Sequence, residues 1–232
     1  MTIRVDKYLC DNHDITRSVA KKAISKGQVQ INQQTITDPA YKVNPNDSVT
    51  LRGKAIIAIG PRYIMLNKPT NYICSTKDEH YPSVLKLLDI TKTDTLHIAG
   101  RLDADTTGLV LITDDGQWSH AITSPKRHCQ KTYLATLAEP IDPSAIEQFK
   151  QGIQLKGEKA LTRSATLHII TPQQVKLTIS EGKYHQVKRM FAAIGNKVTA
   201  LHRHAIGNIT LDDNLKLGQW RYLTPSQIDS IR

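Results

Sequence analysis

The chain has 232 residues, 39% of them hydrophobic and 22% charged, a length and composition that allow an ordinary folded core in about two domains. It contains no apolar run of ~18 residues, and its start, MTIRVDKYLC, lacks an apolar signal-peptide core, which excludes a membrane-spanning protein and predicts a cytoplasmic one. Its 3 Cys are widely spaced, which excludes a dense disulfide framework and a cysteine-rich zinc site, and its net charge of +10 suits a polyanionic partner.

Residues 1–57 are predicted to form a small domain of two helices followed by strands. The first helix is indicated by the i, i+3, i+4 spacing of Val5, Tyr8 and Leu9. A second helix is predicted from Thr16, which can cap it, to Gly27, which can end it. Its buried face would comprise Val19, Ala20, Ala23 and Ile24. The segments QVQIN and SVTL alternate apolar and polar residues and are predicted strands.

The second helix has a one-sided charge that points to RNA. Its basic residues are Arg17, Lys21, Lys22 and Lys26, and no acidic residue lies among them. Like charges at i, i+4 repel one another, and binding to phosphate would offset that repulsion. Aromatic residues make up only 5% of the chain, so a surface built mainly of stacked rings is not expected. We therefore predict that this basic helix face contacts RNA.

The helix–helix–strand unit resembles the S4 RNA-binding domain, which is named after a small-subunit ribosomal protein. The likeness lies in the segments RVDKYL, TRSVAKKAISKGQVQIN and NPNDSV. It implies RNA binding through the helical face, in agreement with the charge pattern.

A linker at residues 58–61 is predicted to lead into a larger domain at 62–232. Strand-like runs and helix-like runs mix irregularly there, so we predict an α+β domain with a mixed, largely antiparallel sheet and flanking helices. The predicted strands are RYIMLNKP, GLVLIT, KTYLATL, ATLHII, VKLTIS and NITL. The predicted helices are PSVLKLL, DPSAIEQFKQG, QVKRMFAAIG and TPSQIDSI, the last capped by Thr224 with Pro225 in its first turn.

The densest functional signal is the segment GRLDADTTGLVLITDDG. Asp103 and Asp105 lie between two glycines, ahead of an apolar strand. A carboxylate on such a loop is well placed for a cleft, although both aspartates could also serve only to cap or turn the backbone. The residues alone leave both interpretations open.

Two further segments supply basic and aromatic candidates. On the helix QVKRMFAAIG, Lys188 flanks the predicted buried stripe and can reach a cleft, whereas Arg189 should be more exposed and suited to phosphate. The basic residues around that helix that we predict to face RNA are Lys183, Arg189 and Arg203. In SPKRHCQKTYLATL the candidates are Lys126, Arg127, Lys131 and Tyr133, the last two on one face of a strand. A lone strand tyrosine is more often simply packed in the core.

Taken together, these segments resemble the pseudouridine synthases that modify ribosomal RNA and carry an S4 domain. GRLDADTTGLVLIT matches the family's G-R-L-D-x-x-T-x-G-L motif, KTY its K-x-Y element, and EGKYHQVKRMFAAIGNKVTALHR its third block. The resemblance implies conversion of uridine to pseudouridine without metal or other cofactor. It implies Asp103 as the essential carboxylate, Tyr133 against the uracil ring, and Lys188 beside Asp103, with Arg189 as the reserve candidate. Arg101 of the first motif is assigned with the RNA-binding residues.

Within that family the likeness leans toward members that act on small-subunit (16S) rRNA, free or in a partly assembled subunit. Lys188 replaces the first arginine of the Q-V-R-R-M pattern of large-subunit relatives, and no basic extension follows Arg232. We expect a monomer. The alternatives are a 23S rRNA enzyme, a non-catalytic ribosome-associated RNA-binding protein, and a Mg²⁺-dependent phosphatase of the D-x-D-x-T type, which DADTT also fits.

Overall fold

The computed structural model describes residues 2–231 and contains two compact units. The first unit runs to Pro61 and includes Ile90–Thr95, and the second comprises Arg62–Asp89 and the chain from Leu96 onward. The segment Ile90–Thr95 therefore groups with the first unit, whereas the sequence pattern had assigned it to the second domain. Arg232, at which the sequence ends, lies outside the described residues.

The first unit packs two helices on short antiparallel strands. Its elements are β1 (Ile3–Arg4), α1 (Val5–Asn12), α2 (Arg17–Ser25), β2 (Val29–Ile31), β3 (Gln34–Ile36), β4 (Lys42–Val43), β5 (Val49–Leu51) and β6 (Lys54–Ile56). The sheet order is β3-β2-β5-β6, and β1 pairs with β4. Apolar side chains of α1, α2 and the strands form one core, which includes Val5, Leu9, Ala20, Ala23 and Ile24.

Both ends of α2 follow the local signals in the sequence. The Thr16 hydroxyl accepts a hydrogen bond from the Val19 amide, and Gly27 has a φ of +67°, the left-handed conformation that ends a helix. The predicted buried face was wrong at one position, because Val19 is 46% exposed. It lies in the first turn, at the edge of the apolar stripe.

The second unit is built on one large mixed sheet. Its elements are β7 (Tyr63–Lys68), β8 (His97–Ala99), β9 (Thr107–Thr113), α3 (Gly116–Thr123), β10 (Lys131–Leu137), α4 (Ala145–Gln151), β11 (Thr166–Thr171), β12 (Gln174–Ile179), α5 (Gln186–Ala193), β13 (Val198–Ile206), β14 (Ile209–Thr210), β15 (Trp220–Tyr222) and α6 (Pro225–Asp229). The strand order is β11-β12-β10-β13-β9-β7-β15, with β8 on β9 and β14 on β13. The pair β13–β9 is parallel and the other pairs are antiparallel, which confirms the predicted α+β class.

Some elements departed from the prediction. PSVLKLL forms a short 3₁₀ helix, Val84–Leu87, rather than an α-helix. The sequence pattern missed α3, β8, β13 and β15. In β13 the consecutive basic residues His202, Arg203 and His204 hide the alternation of apolar and polar side chains that marks a strand. Arg203 is buried, although its charge indicates an exposed position.

The contact between β9 and β13 is unusually close at Gly108. Gly108 has a φ of +106°, and a Cβ placed there would lie 2.4 Å from the Arg203 carbonyl oxygen. Only glycine leaves room for this approach, which brings β13 against the end of the loop that carries the motif aspartates.

None of the helices within residues 2–231 is long and apolar enough to cross a bilayer.

Candidate active site

Asp103 lies on the loop between β8 and β9, which we call the aspartate loop and define as residues 100–106. Within it, the Thr106 amide donates to the Asp103 carbonyl oxygen at 3.1 Å, closing a tight turn. The Leu102 amide donates to the sulfur of buried Cys74 at 3.3 Å. The remaining contacts of its backbone come mainly from two buried cations, one on β7 and one on β13.

The first of these cations is Lys68, which has no exposed surface. Its ammonium donates to the carbonyl oxygens of Pro69 at 2.9 Å, Ala104 at 3.3 Å and Thr106 at 2.8 Å. Burial lowers the pKa of this ammonium. Its three donors are all used by backbone oxygens, so Lys68 ties the end of β7 to the aspartate loop.

The second buried cation is Arg203, which is 2% exposed. Its guanidinium donates to the carbonyl oxygens of Gly100 at 3.2 Å, Arg101 at 3.2 Å and Leu109 at 2.8 Å. The sequence pattern predicts an RNA contact for Arg203, whereas the structure places its guanidinium inside the protein, engaged with three carbonyl oxygens. The planar guanidinium of an arginine can reach several carbonyl oxygens at once. Here it connects the start of the aspartate loop to β9, the strand that follows it.

Lys188 joins both aspartates of the loop. Its ammonium lies 3.1 Å from Asp103 Oδ2 and 2.6 Å from Asp105 Oδ1. Partial burial by itself would lower the pKa of Lys188, but the hydrogen bonds to Asp105 and Asp103 outweigh it and the pKa is raised. The pKa of Asp105 is lowered, chiefly by the hydrogen bond from Lys188. The ammonium thus stabilises negative charge at the centre of the motif.

His185 completes the set of groups around Asp103, and the sequence pattern did not single it out. Its Nε2 lies 3.3 Å from Asp103 Oδ1, a distance at which a protonated ring forms an ion pair. His185 is the residue before α5 and has a φ of +47°. This left-handed backbone turns the ring toward the aspartate loop, and such a conformation in a residue other than glycine often marks a functional site.

Asp103, Lys188 and His185 face a cavity of about 630 Å³, which Tyr133 also lines. Tyr133 lies on β10 opposite Arg203 of β13 and is 8% exposed, so its ring forms part of the cavity wall. Of the predicted RNA-binding residues, Arg101, Lys131, Lys183 and Arg203 also line this cavity. A pocket of this volume accommodates a nucleoside-sized ligand.

Several predicted RNA-binding cations already have partners within the protein. Lys183 and Arg189 both pair with Glu158, at 3.0 and 3.3 Å, and Arg189 also donates to the Lys156 carbonyl oxygen at 2.7 Å. The Lys131 ammonium donates to the carbonyl oxygens of Ile122 and Cys129. The stretch from 183 to 204 contains no acidic residue of its own, and Glu158, from a loop distant in sequence, supplies the acidic partner. The exposed cations of this unit include Arg101, Lys126 and Arg127.

The basic residues of α2 divide in the same way. Arg17 lies 3.3 Å from Asp6, a fully buried carboxylate that Arg4 also binds. Lys21, Lys22 and Lys26 are exposed, and no carboxylate of residues 2–231 lies within 4 Å of them. These three lysines remain available for an external anion.

Lys68 and His185 were not singled out from the sequence, for different reasons. Lys68 could have been suspected, because it ends a strand whose other residues are almost all apolar. No local pattern marks His185, since its role depends on the turn that precedes α5.

Within residues 2–231, no group of three or more His, Cys, Asp or Glu side chains has an arrangement that could hold a metal ion.

Comparison with known proteins agrees with this geometry. Residues 62–193 match the family model described as RNA pseudouridylate synthase, and residues 3–49 match the S4 domain. The ribosomal small subunit pseudouridine synthases A of Salmonella typhimurium and Escherichia coli (strain K12) are 52% and 51% identical over 230 residues, which cover 99% of this chain and all of theirs. A crystal structure of a pseudouridylate synthase superposes with a TM-score of 0.72 at 47% identity, covering 99% of this chain and all of that one. The chain belongs to the RNA pseudouridine synthase family.

Proposed function

We propose that this pseudouridine synthase acts on one uridine of small-subunit 16S rRNA, with Asp103 as the essential carboxylate. The observation that carries the proposal is the placement of Asp103 between Lys188 and His185 at the wall of a nucleoside-sized cavity. The choice of small-subunit rRNA is supported by the names of full-length relatives at 51–52% identity. We expect the enzyme to work in the cytoplasm, as a monomer, on free rRNA or a partly assembled subunit.

The reaction breaks the bond between uracil N1 and ribose C1′, turns the base, and joins C5 to C1′. Asp103 either attacks C1′ or removes the 2′ proton to give a glycal. Both routes need an ionised carboxylate, and the Lys188 ammonium lies 3.1 Å from Asp103 Oδ2 as its counter-ion. The atoms of product and substrate are the same, so the reaction requires no oxidant, reductant or energy source.

Tyr133 and the basic surface have roles in holding the substrate. The Tyr133 ring in the cavity wall would pack against the uracil and keep it in place while it turns. The target nucleotide has to leave its helix to reach the cavity, which costs a few kcal/mol. We assign Lys21, Lys22 and Lys26 of the S4 domain, together with exposed Arg101, Lys126 and Arg127, to contacts with the RNA backbone.

The test is release of tritium from RNA labelled at uridine C5, since the C5 hydrogen is lost when C5 binds C1′. The wild-type protein should release tritium from a 16S transcript and not from a 23S transcript. Asp103→Asn should lower turnover by at least about 1,000-fold and leave RNA affinity within a few fold. Asp213→Asn, the same change at an exposed carboxylate of the same unit, is the matched control and should behave as wild type.

Each outcome has a definite meaning. Turnover by Asp103→Asn at a near-normal rate would contradict the role of Asp103. Release from 23S RNA alone would overturn the choice of substrate. If naked 16S RNA is inert, partly assembled small subunits are the next substrate, and failure there as well would also overturn that choice.

A further inference from the structure

Beside the carboxylate, one aromatic side chain is presented to solvent at the cavity. Tyr184 lines the cavity and is 77% exposed. Its ring stacks on the ring of His185, with the ring centroids 3.8 Å apart and an angle of 20° between the planes. Since His185 covers one face of the Tyr184 ring, the opposite face is left to solvent.

This stack is anchored at both of its residues. The His185 ring is directed at Asp103, whose Oδ1 lies 3.3 Å from Nε2. The backbone of Tyr184 accepts a hydrogen bond from Arg189 at 3.1 Å, and Arg189 is itself paired with Glu158. An exposed tyrosine is ordinarily free to change rotamer. Stacking on His185 restricts the Tyr184 ring, so it can bind a flat partner with less loss of side-chain entropy than a free tyrosine.

We propose that the Tyr184–His185 stack is a platform for a nucleobase, and that the base which stacks on Tyr184 is a neighbour of the uridine held at Asp103. Nucleobases stack on aromatic rings regardless of their hydrogen-bonding pattern. A nucleotide that leaves its helix also deprives its neighbours of a stacking partner, and the open face of Tyr184 can replace it. The proposal rests on the function proposed above and adds a positioning residue to it.

The position of the stack links capture of the neighbouring base to the chemistry. His185 contacts Tyr184 through its ring face and Asp103 through Nε2. A base stacked on Tyr184 is therefore held at a set position relative to the Asp103 carboxylate, with only the His185 ring between Tyr184 and Asp103. The platform would fix the distance between the bound RNA strand and Asp103, while Tyr184 itself would not touch the reacting atoms.

The proposal is tested with Tyr184→Ala, Tyr184→Leu and Tyr184→Phe. Two measurements are made: the Kd for a 16S transcript by filter binding, and KM and kcat by tritium release. Loss of one base stack should raise Kd and KM by about 5- to 150-fold in Tyr184→Ala. Tyr184→Phe should stay within about twofold of wild type because it keeps the ring, and Tyr184→Leu should fall between the two. The control is Tyr222→Ala, which removes a half-exposed tyrosine of the same unit that does not line this cavity.

The outcomes separate this inference from the proposed function. A normal Kd and KM for Tyr184→Ala would overturn the platform, and so would Tyr184→Phe as defective as Tyr184→Ala. Thermal unfolding of Tyr184→Ala should match wild type, since the side chain is exposed, and a large drop in Tm would instead mean a structural role. If wild-type protein releases no tritium from any RNA, the proposed function fails, and the filter-binding comparison still decides whether Tyr184 contacts RNA.

Discussion

The positive charge of this chain is used in opposite ways in its two units. Lys68 and Arg203, which contact the aspartate loop, are buried and together donate to six backbone carbonyl oxygens. On α2, Lys21, Lys22 and Lys26 are exposed and have no carboxylate partner among the described residues. The same residue types thus serve as internal braces in one unit and as a free surface in the other.

The net charge of this chain overestimates its RNA-binding surface. Of the 11 residues assigned to RNA from the sequence pattern, Arg203 is buried, and Arg17, Lys183 and Arg189 are paired with carboxylates. What a cation can do for an external phosphate depends on whether the fold has already supplied it with oxygen atoms.

Arg203→Met should have the largest effect on stability. It leaves the carbonyl oxygens of Gly100, Arg101 and Leu109 without their donor, two of them in the loop that holds Asp103. We expect the free energy of unfolding to fall by about 3 kcal/mol and turnover to fall with it. Urea unfolding measures the change. Arg127→Met, at an exposed cation of the same unit, should lie within about 0.5 kcal/mol of wild type.

Arg203→Lys sharpens this prediction. Lysine keeps the charge but carries its donors on one nitrogen, which cannot reach all three of the carbonyl oxygens that the separate nitrogens of Arg203 reach, so it should recover only part of the lost stability. Full recovery by lysine would mean that charge alone matters at this position. An unchanged unfolding midpoint in Arg203→Met would contradict the bracing role.

Replacing Lys21, Lys22 and Lys26 together by glutamine should produce the converse result. Stability should not fall, because no described partner is lost and like-charge repulsion along α2 is relieved, whereas affinity for a 16S transcript should fall roughly 10- to 50-fold at low salt. The slope of log K against log salt concentration should become shallower by about 2 to 3, which titrations at several salt concentrations measure. The control is the pair Lys42→Gln and Lys54→Gln, exposed on strands of the same unit. An equal loss in that control would mean that the total charge, and not α2, binds the RNA.

Asp6→Asn should have the smallest effect, and its effect should depend on pH. Arg4 and Arg17 lower the pKa of the buried Asp6 carboxyl to about 2, chiefly through the hydrogen bond from Arg4. A lowered folded-state pKa contributes stability above the unfolded pKa of about 4, and that contribution is lost as the pH falls from about 4 to about 2. We expect Asp6→Asn to cost about 1 kcal/mol at pH 7, since both arginines are partly exposed. Urea unfolding should show the gap between variant and wild type closing at pH 2.5, and a gap independent of pH would contradict the assignment.

The sequence predicted those features that depend on neighbours along the chain. Thr16 and Gly27 mark the ends of α2 locally, and α6 begins as predicted, with the Thr224 hydroxyl accepting from the Gln227 amide and Pro225 in the first turn. The helical periodicity of α5 correctly placed Lys188 beside its buried stripe, where it reaches Asp103. The pairing of the two had only been implied by family resemblance.

Features that depend on distant segments could not be read in this way. Arg203 is buried because β13 lies between β10 and β9, an order that no local pattern specifies. Arg189 is held by Glu158 and the Lys156 carbonyl oxygen, and both come from a segment about 30 residues earlier. The contact of His185 with Asp103 depends on the left-handed backbone conformation of His185 itself, just before α5.

The way in which Lys68 and Arg203 hold the aspartate loop separates its anchorage from its side chains. Both cations bind only main-chain oxygen atoms, and every amino acid supplies such an oxygen. The side chains of Arg101 and Ala104 can therefore be exchanged without removing any of these six bonds. Recognition of a new RNA sequence could evolve, or be engineered, on this loop while the carboxylate of Asp103 stays in place.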